Sequence, residues 1–188
     1  EIIVMIDGLH PQHAHRAAAY EEYKWRLIDL CAWEPEFRGC LPLVFDEHTH
    51  QAGMTRRALE LVRTPLVFFV EHDTWPVGEI DWPGILRAIE EPGVNVVRLH
   101  IFDRVIDEHR HLYGEPMTIA GLPVVPTRAW SQRPHLARTE WYRRLIARYF
   151  GRDARTMIED VLYAAMLNRL DAGLDAFAEW GVYIYAPA

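Results

Sequence analysis

Residues 66–76 read LVFFVEHDTWP. The stretch opens as an unbroken apolar run, Leu66 to Val70, and passes directly into Glu71, His72 and Asp73. A short apolar run rich in Val and Phe, launched by the helix-breaking pair Thr64-Pro65, predicts a strand buried on both faces. Strands of that kind belong to sheets covered by helices, and such sheets bind ligands just beyond the carboxyl ends of their strands. The polar trio stands at that end and is the first candidate for a functional site.

Upstream, EIIVMIDG predicts a strand over Ile2–Ile6 ending at Asp7-Gly8, and the spacing of Ala, Tyr, Trp and Leu predicts a helix from Pro11 to Leu30. LPLVFDE, residues 41–47, predicts a second strand, and Met54 to Val62 a second helix. Downstream, residues 82–91 predict a helix closed by Pro92-Gly93, and 94–102 a strand. This alternation predicts an α/β fold in a single domain, Rossmann-like, with a mixed, mainly parallel sheet flanked by helices. Asp7 and Asp46 then also fall at strand carboxyl ends. Beyond residue 103 the Pro and Gly content predicts loops and short strands. A helix follows over 139–150, stopped by Gly151, then a helix from about Thr156, capped with Glu159, to Leu170. WGVYIYAP, residues 180–187, closes the sequence as a strand.

Composition bounds the function classes. With 188 residues, 50% hydrophobic and 25% charged, the chain suits one globular core. A net charge of −7 argues against a protein that grips nucleic acid over its whole surface, although a local basic patch is compatible with it. Cys31 and Cys40 lie too far apart for a CxxC pair and read as reduced and structural. No apolar stretch is long enough to span a bilayer and no signal peptide is evident, which gives the expectation of an intracellular, cytoplasmic protein. The sequence opens directly on a strand, which gives the expectation that either a leading segment lies outside the numbering or the chain is a fragment.

Glu71 and Asp73 form an acid-x-acid element at a strand end. Mg²⁺ or Mn²⁺ takes hard oxygen ligands, few from protein and the rest from phosphate and water, and two such carboxylates suit it. ALELVRTPLVFFVEHDTWP resembles the central signature of family 2 glycosyltransferases, in which a helix leads through TP into a strand ending in a DxD-like motif. FDEHTHQAGMTRRALEL resembles their preceding strand, turn and helix, and MIEDVLYAAML their downstream ED element. The similarity in order and spacing covers roughly residues 2–165 and implies a small GT-A fold enzyme. It implies a nucleotide-sugar donor, a uridine diphosphate sugar, with transfer to a hydroxyl acceptor and inversion at the anomeric carbon. Position by position it implies metal binding by Asp73 with Glu71, the latter also placed to meet the donor's ribose, a base contact for Asp7, and a catalytic base at Asp160 beside Glu159. Glu71 stands where the family usually has Asp, and the family has one more strand before Ile2.

The segment SQRPHLARTEWYRR, residues 131–144, corresponds to the acceptor side of that family. Gln132, Arg133, His135 and Trp141, with Glu159, are the acceptor-binding candidates. Arg143, Arg144, Arg148, Arg152 and Arg155 add local positive charge, so a phosphate-bearing acceptor, including a hydroxymethylated base in phage DNA, enters as a candidate. Three HxH pairs, His13/His15, His48/His50 and His109/His111, would on strands point two imidazoles to one face. They support a second reading, a zinc or iron hydrolase using the pairs with Asp46 and Asp73. A third reading is a non-catalytic nucleotide- or sugar-binding module of the same fold. Trp75, Trp82 and Trp130 read as core or rim aromatics.

Overall fold

A computed structural model describes residues 1–99, 107–171 and 177–187. The fold is mixed α and β, and the chain divides into two compact units, Glu1–Val62 with Ile146–Met157, and Arg63–Leu145 with Ile158–Ala188.

The first unit is a strand, helix, strand arrangement. Strand β1 (Ile2–Ile6) pairs in parallel with β2 (Cys40–Val44), as the opening alternation predicts. Between them Pro11–Arg16 forms a 3-10 helix and α1 spans Ala17–Trp33, so the predicted helix is split near Arg16. Helix α2 (His50–Leu61) starts four residues earlier than expected and buries Gln51, Ala52, Thr55, Ala58 and Leu59. Segment 146–157 returns to this unit, where the Thr156 carbonyl accepts the amide of Ala52 at 3.1 Å. Arg56 Nη2 donates to the carbonyls of Phe150 and Gly151 at 2.5 and 3.1 Å. No residue of α1 is buried, and Trp25 and Trp33 keep 62% and 81% of their surface.

The second unit carries a six-stranded sheet in the order β3-β7-β4-β8-β6-β5. These are β3 (Leu66–Phe69), β4 (Val96–Arg98), β5 (Met117–Ile119), β6 (Leu122–Pro126), β7 (His135–Arg138) and β8 (Val182–Tyr185). Four of its five strand pairings are antiparallel, β4 with β8 being parallel. The expected mainly parallel sheet is therefore corrected to a mixed, mostly antiparallel one. The cause is visible in the order. β3 and β4 run the same way, as a strand-helix-strand unit should, but the antiparallel β7, reached only after a long excursion, lies between them. Predicted residues 100–102 of the β4 strand lie outside the described residues.

Helix α3 (Trp82–Glu90) shows why this unit holds together. Asp81 caps it by accepting the amide of Gly84 at 2.8 Å, and Pro83 sits in the first turn, where no amide donor is needed. Ile85, Ala88 and Ile89 are fully buried against Val94, Val97, Leu99, Leu122, Val124 and Leu136. Helices α4 (Thr139–Tyr149) and α5 (Ile158–Asp171) match their expected spans closely, although α5 begins two residues after Thr156. Buried Ile158, Leu162 and Met166 recur every four residues along α5, the spacing of one helix face. A short α6 (Phe177–Trp180) precedes β8. No helix among the described residues is long and apolar enough to cross a membrane.

Candidate functional site

The acidic loop follows β3 in the second unit. Strand geometry ends at Phe69, and a turn closed by the Thr74 amide on the Glu71 carbonyl at 3.2 Å carries the trio. Glu71 is half-buried, and His72 and Asp73 are exposed. The adjacent Trp75 keeps 68% of its surface and Trp82 39%, whereas Trp130 is buried, so the three tryptophans divide between rim and core. As a donor set, two carboxylates on one turn fit a hard divalent cation that fills its shell with water and phosphate oxygens. Among the described residues no group of three or more His, Cys, Asp or Glu comes together to hold a metal ion.

Beneath that loop lies a buried polar row. Phe69 pairs with His135 across β3 and β7, and His135 pairs with Arg98 across β7 and β4. Directly paired residues share a sheet face, and the rings of Phe69 and His135 stack at 5.3 Å. Trp130 and Tyr142 enclose the imidazole from other sides at 5.5 and 5.4 Å. Nδ1 of His135 donates to the Arg133 carbonyl at 2.7 Å, while Nε2 is buried with no protein partner. Desolvation pulls the His135 pKa down to about 4, the Arg133 bond opposing and nearby Arg98 adding to the drop, so the ring is neutral in the folded protein. Arg98, 5% exposed, donates Nη1 to the Ala129 carbonyl at 3.2 Å and leaves Nε without a partner. Burial lowers its pKa to about 10, with Tyr113 and Glu159 opposing.

The loop before β7 is fixed by a chain of bonds. Trp130 Nε1 donates to Gln132 Oε1 at 2.8 Å, Gln132 Nε2 donates to the Tyr142 hydroxyl at 3.3 Å, and the Gln132 amide donates to Glu159 Oε2 at 2.9 Å. Burial pushes the Tyr142 phenol well above its ordinary range, Gln132 opposing and Glu71 adding to the rise. Of the acceptor candidates, Gln132, His135 and Trp141 are interior, and Trp141 donates Nε1 to the Glu179 carbonyl at 3.1 Å. Arg133 and Glu159 are half-exposed, and Asp160 is exposed in the first turn of α5. The second unit holds Glu71, Asp73, Gln132, Arg133, His135, Trp141, Glu159 and Asp160, of which Gln132 and Glu159 are in direct contact, and the first unit holds Asp7.

Asp7 ends β1, where Gly8 is required by close packing: a Cβ there would lie 2.1 Å from the Glu47 carbonyl carbon. The Asp7 carboxylate accepts the amides of Gly8, Thr49 and His50 at 2.7 to 2.9 Å, and the His48 ring Nδ1 lies 2.9 Å from its Oδ2. His50 is held in a left-handed conformation, φ 63°, by this anchoring. Beside it opens a cavity of about 540 Å³, a size suited to a small ligand. Its walls include Leu9, His10, His13, Arg16, Tyr20, Tyr23 and His48.

The histidine pairs are not on strands. His13 and His15 lie in the 3-10 helix, and His48 and His50 flank the start of α2, so the single-face geometry expected of them is corrected. His10 and His48 nevertheless meet edge to face at 4.6 Å. His109 has no described side chain, and Asp46 is exposed beyond the end of β2. Sequence reasoning missed Arg98 and, of the cavity residues, Leu9, His10, Arg16, Tyr20 and Tyr23. Their signals were an Arg inside the apolar VVRL run and a His-rich stretch directly after the Asp7-Gly8 strand end. No protein-family model matches the chain, and no curated protein or solved structure matches it significantly.

Proposed function

We propose that the chain is a metal-dependent glycosyltransferase that moves a sugar from a nucleotide-sugar donor, a uridine diphosphate sugar by the resemblance, to a hydroxyl acceptor with inversion. The observation that carries this reading is the bond from the Gln132 amide to Glu159 Oε2 at 2.9 Å. It ties the first turn of α5, with its paired acids, to the loop entering β7, and β7 pairs along its length with β3, the strand that ends in the acidic loop. Two acidic elements separated by more than eighty residues of sequence are therefore built on one framework.

Bound Mn²⁺ or Mg²⁺ supplies Lewis-acid stabilisation of the leaving diphosphate. Asp73 would hold the ion, and Glu71 would share it or take a ribose hydroxyl. Asp160 removes the proton of the acceptor hydroxyl as the new bond forms at the anomeric carbon. Arg133 meets the acceptor, while Gln132, His135 and Trp141 hold that segment in shape from inside. A hydroxymethylated base in DNA is one acceptor that local arginines would favour.

Release of nucleoside diphosphate from a panel of nucleotide sugars with Mn²⁺ tests the reading. Asp160→Asn should lower turnover by about 10² to 10⁴, the usual worth of a general base. Unchanged turnover sinks the base assignment, and no turnover of any donor by the wild type favours a binding module.

A further inference from the structure

Cys31 and Cys40 both belong to the first unit, and the fold turns the chain back between them. Cys31 lies in the last turn of α1, and Cys40 is the first residue of β2. Between them α1 ends at Trp33, Pro35–Phe37 forms a single 3-10 turn, and Gly39, at φ 91°, takes the left-handed conformation that leads the chain into the strand. The Gly39 carbonyl accepts the Ile2 amide at 3.1 Å, which ties this turn to β1. Helix α1 packs against both the 3-10 turn and β2.

The burial pattern shows how each cysteine is presented. The half-buried residues of α1 are Tyr20, Lys24, Leu27, Ile28 and Cys31, spaced as one helix stripe, and the rest of the helix is exposed. Cys31 therefore ends the packing face of α1. On β2, Cys40 shares a sheet face with Pro42 and Val44, all three half-buried, whereas Leu41 on the other face is 41% exposed. Both thiols are free and partly open to solvent. Burial, and after it the charge of the nearby Cys40, pushes the Cys31 thiol up, so the two sulfurs lie close enough to act on each other.

We propose that Cys31 and Cys40 form a modification site, a reversible disulfide made by exchange with a low-molecular-weight disulfide, which staples the end of α1 to the start of β2. One cysteine loses its proton, and its sulfur attacks the small disulfide and expels one small thiol. The second cysteine then loses its proton and displaces the other. The protein gives up two electrons and two protons and gains one S–S bond, while the oxidant's S–S bond becomes two S–H bonds. Scarce Cys31 thiolate at neutral pH makes this exchange slow rather than immediate. The bond adds a restraint where packing is thin, because no residue of α1 is fully buried. Tyr20 and Tyr23 of the same helix line the 540 Å³ cavity, so the staple also restrains that wall.

The full chain, equilibrated with oxidised glutathione or with dithiothreitol, quenched in acid, and then alkylated under denaturing conditions and weighed intact, reads the site directly. The oxidised monomer should take up no alkyl group, and the reduced one two. Trypsin cleavage after Arg26, Arg38 and Arg56 puts the two cysteines on separate peptides, which should stay joined until reduced. The oxidised chain should also unfold at a higher urea concentration by circular dichroism, and Cys40→Ser should show neither the link nor the shift. Two alkylated thiols after oxidation, glutathione adducts without an internal link, or a bond joining two chains overturns the proposal. A link that leaves the urea midpoint unchanged overturns the staple. Should Cys40→Ser fail to fold, Cys31→Ser serves as the control, and the wild-type masses decide on their own.

Discussion

The two units differ in how much apolar surface they bury. In the unit of β3 to β8, Ile85, Ile89, Leu122, Tyr142, Leu162, Met166 and Ile184 are fully buried, and apolar area removed from water is the main source of stability. In the unit of β1 and β2, α1 has no fully buried residue, the buried apolar residues are fewer, among them Ile6, Ala52, Leu59 and Phe150, and order at the strand end comes from one carboxylate that accepts three backbone amides. The difference teaches where each candidate site draws its rigidity. The acidic loop stands on a packed sheet, and the cavity stands on a polar latch.

Core truncation should expose this contrast most strongly. Ile85→Ala should cost about 3 to 4 kcal/mol, the range for a fully buried aliphatic residue. Trp130 and Trp180 are buried in the same unit, so their fluorescence during urea unfolding reports the loss. A cost near zero would break the claim that this unit is held by its core.

A smaller effect is expected for Asp7→Asn. The amide keeps one acceptor oxygen but sets its NH₂ group against backbone donors, with a cost of about 2 kcal/mol. Hydrogen exchange at the Thr49 and His50 amides should accelerate, because both donate to Asp7. Unchanged protection there would show that the latch is not what orders the strand end.

Acid should weaken the packed unit through His135. The folded ring titrates only near 4, whereas an unfolded histidine takes its proton near 6.5. The unfolded state therefore binds more protons as pH falls, and stability present above 6.5 is lost progressively down to about 4. Unfolding free energies from urea titrations at pH 7 and 4.5 should differ by about 2 kcal/mol in the wild type from this residue. His135→Phe should remove that part of the difference. The smallest effect belongs to Trp33→Ala, where an exposed side chain leaves stability within about 0.5 kcal/mol, measurable by the same denaturation.

Local structure could be read from the sequence because it rests on local chemistry. Thr64-Pro65 ended one helix and began β3, Gly151 followed α4, and the Ile85/Ala88/Ile89 spacing marked a buried helix face. Pairing direction could not be read, since nothing near Leu136 announces that β7 inserts between β3 and β4. The acidic loop was visible as an abrupt change after Val70. The Arg98 and His135 row was not, because a buried polar pair is defined by cross-strand register rather than by spacing. Asp7 was visible as a strand-end acid, but its role was not. Its partners Thr49 and His50 lie more than forty residues away, and only folding shows that they consume it.

The most direct test of the transferase reading is the thermal midpoint with Mn²⁺ and uridine diphosphate, together and separately, in the wild type and in Asp73→Ala. A ligand that binds only the folded state raises the midpoint by mass action. The account predicts that Mn²⁺ adds an increment to the nucleotide shift and that Asp73→Ala abolishes it. An increment that persists in Asp73→Ala, or none with any nucleoside diphosphate in the wild type, would contradict it.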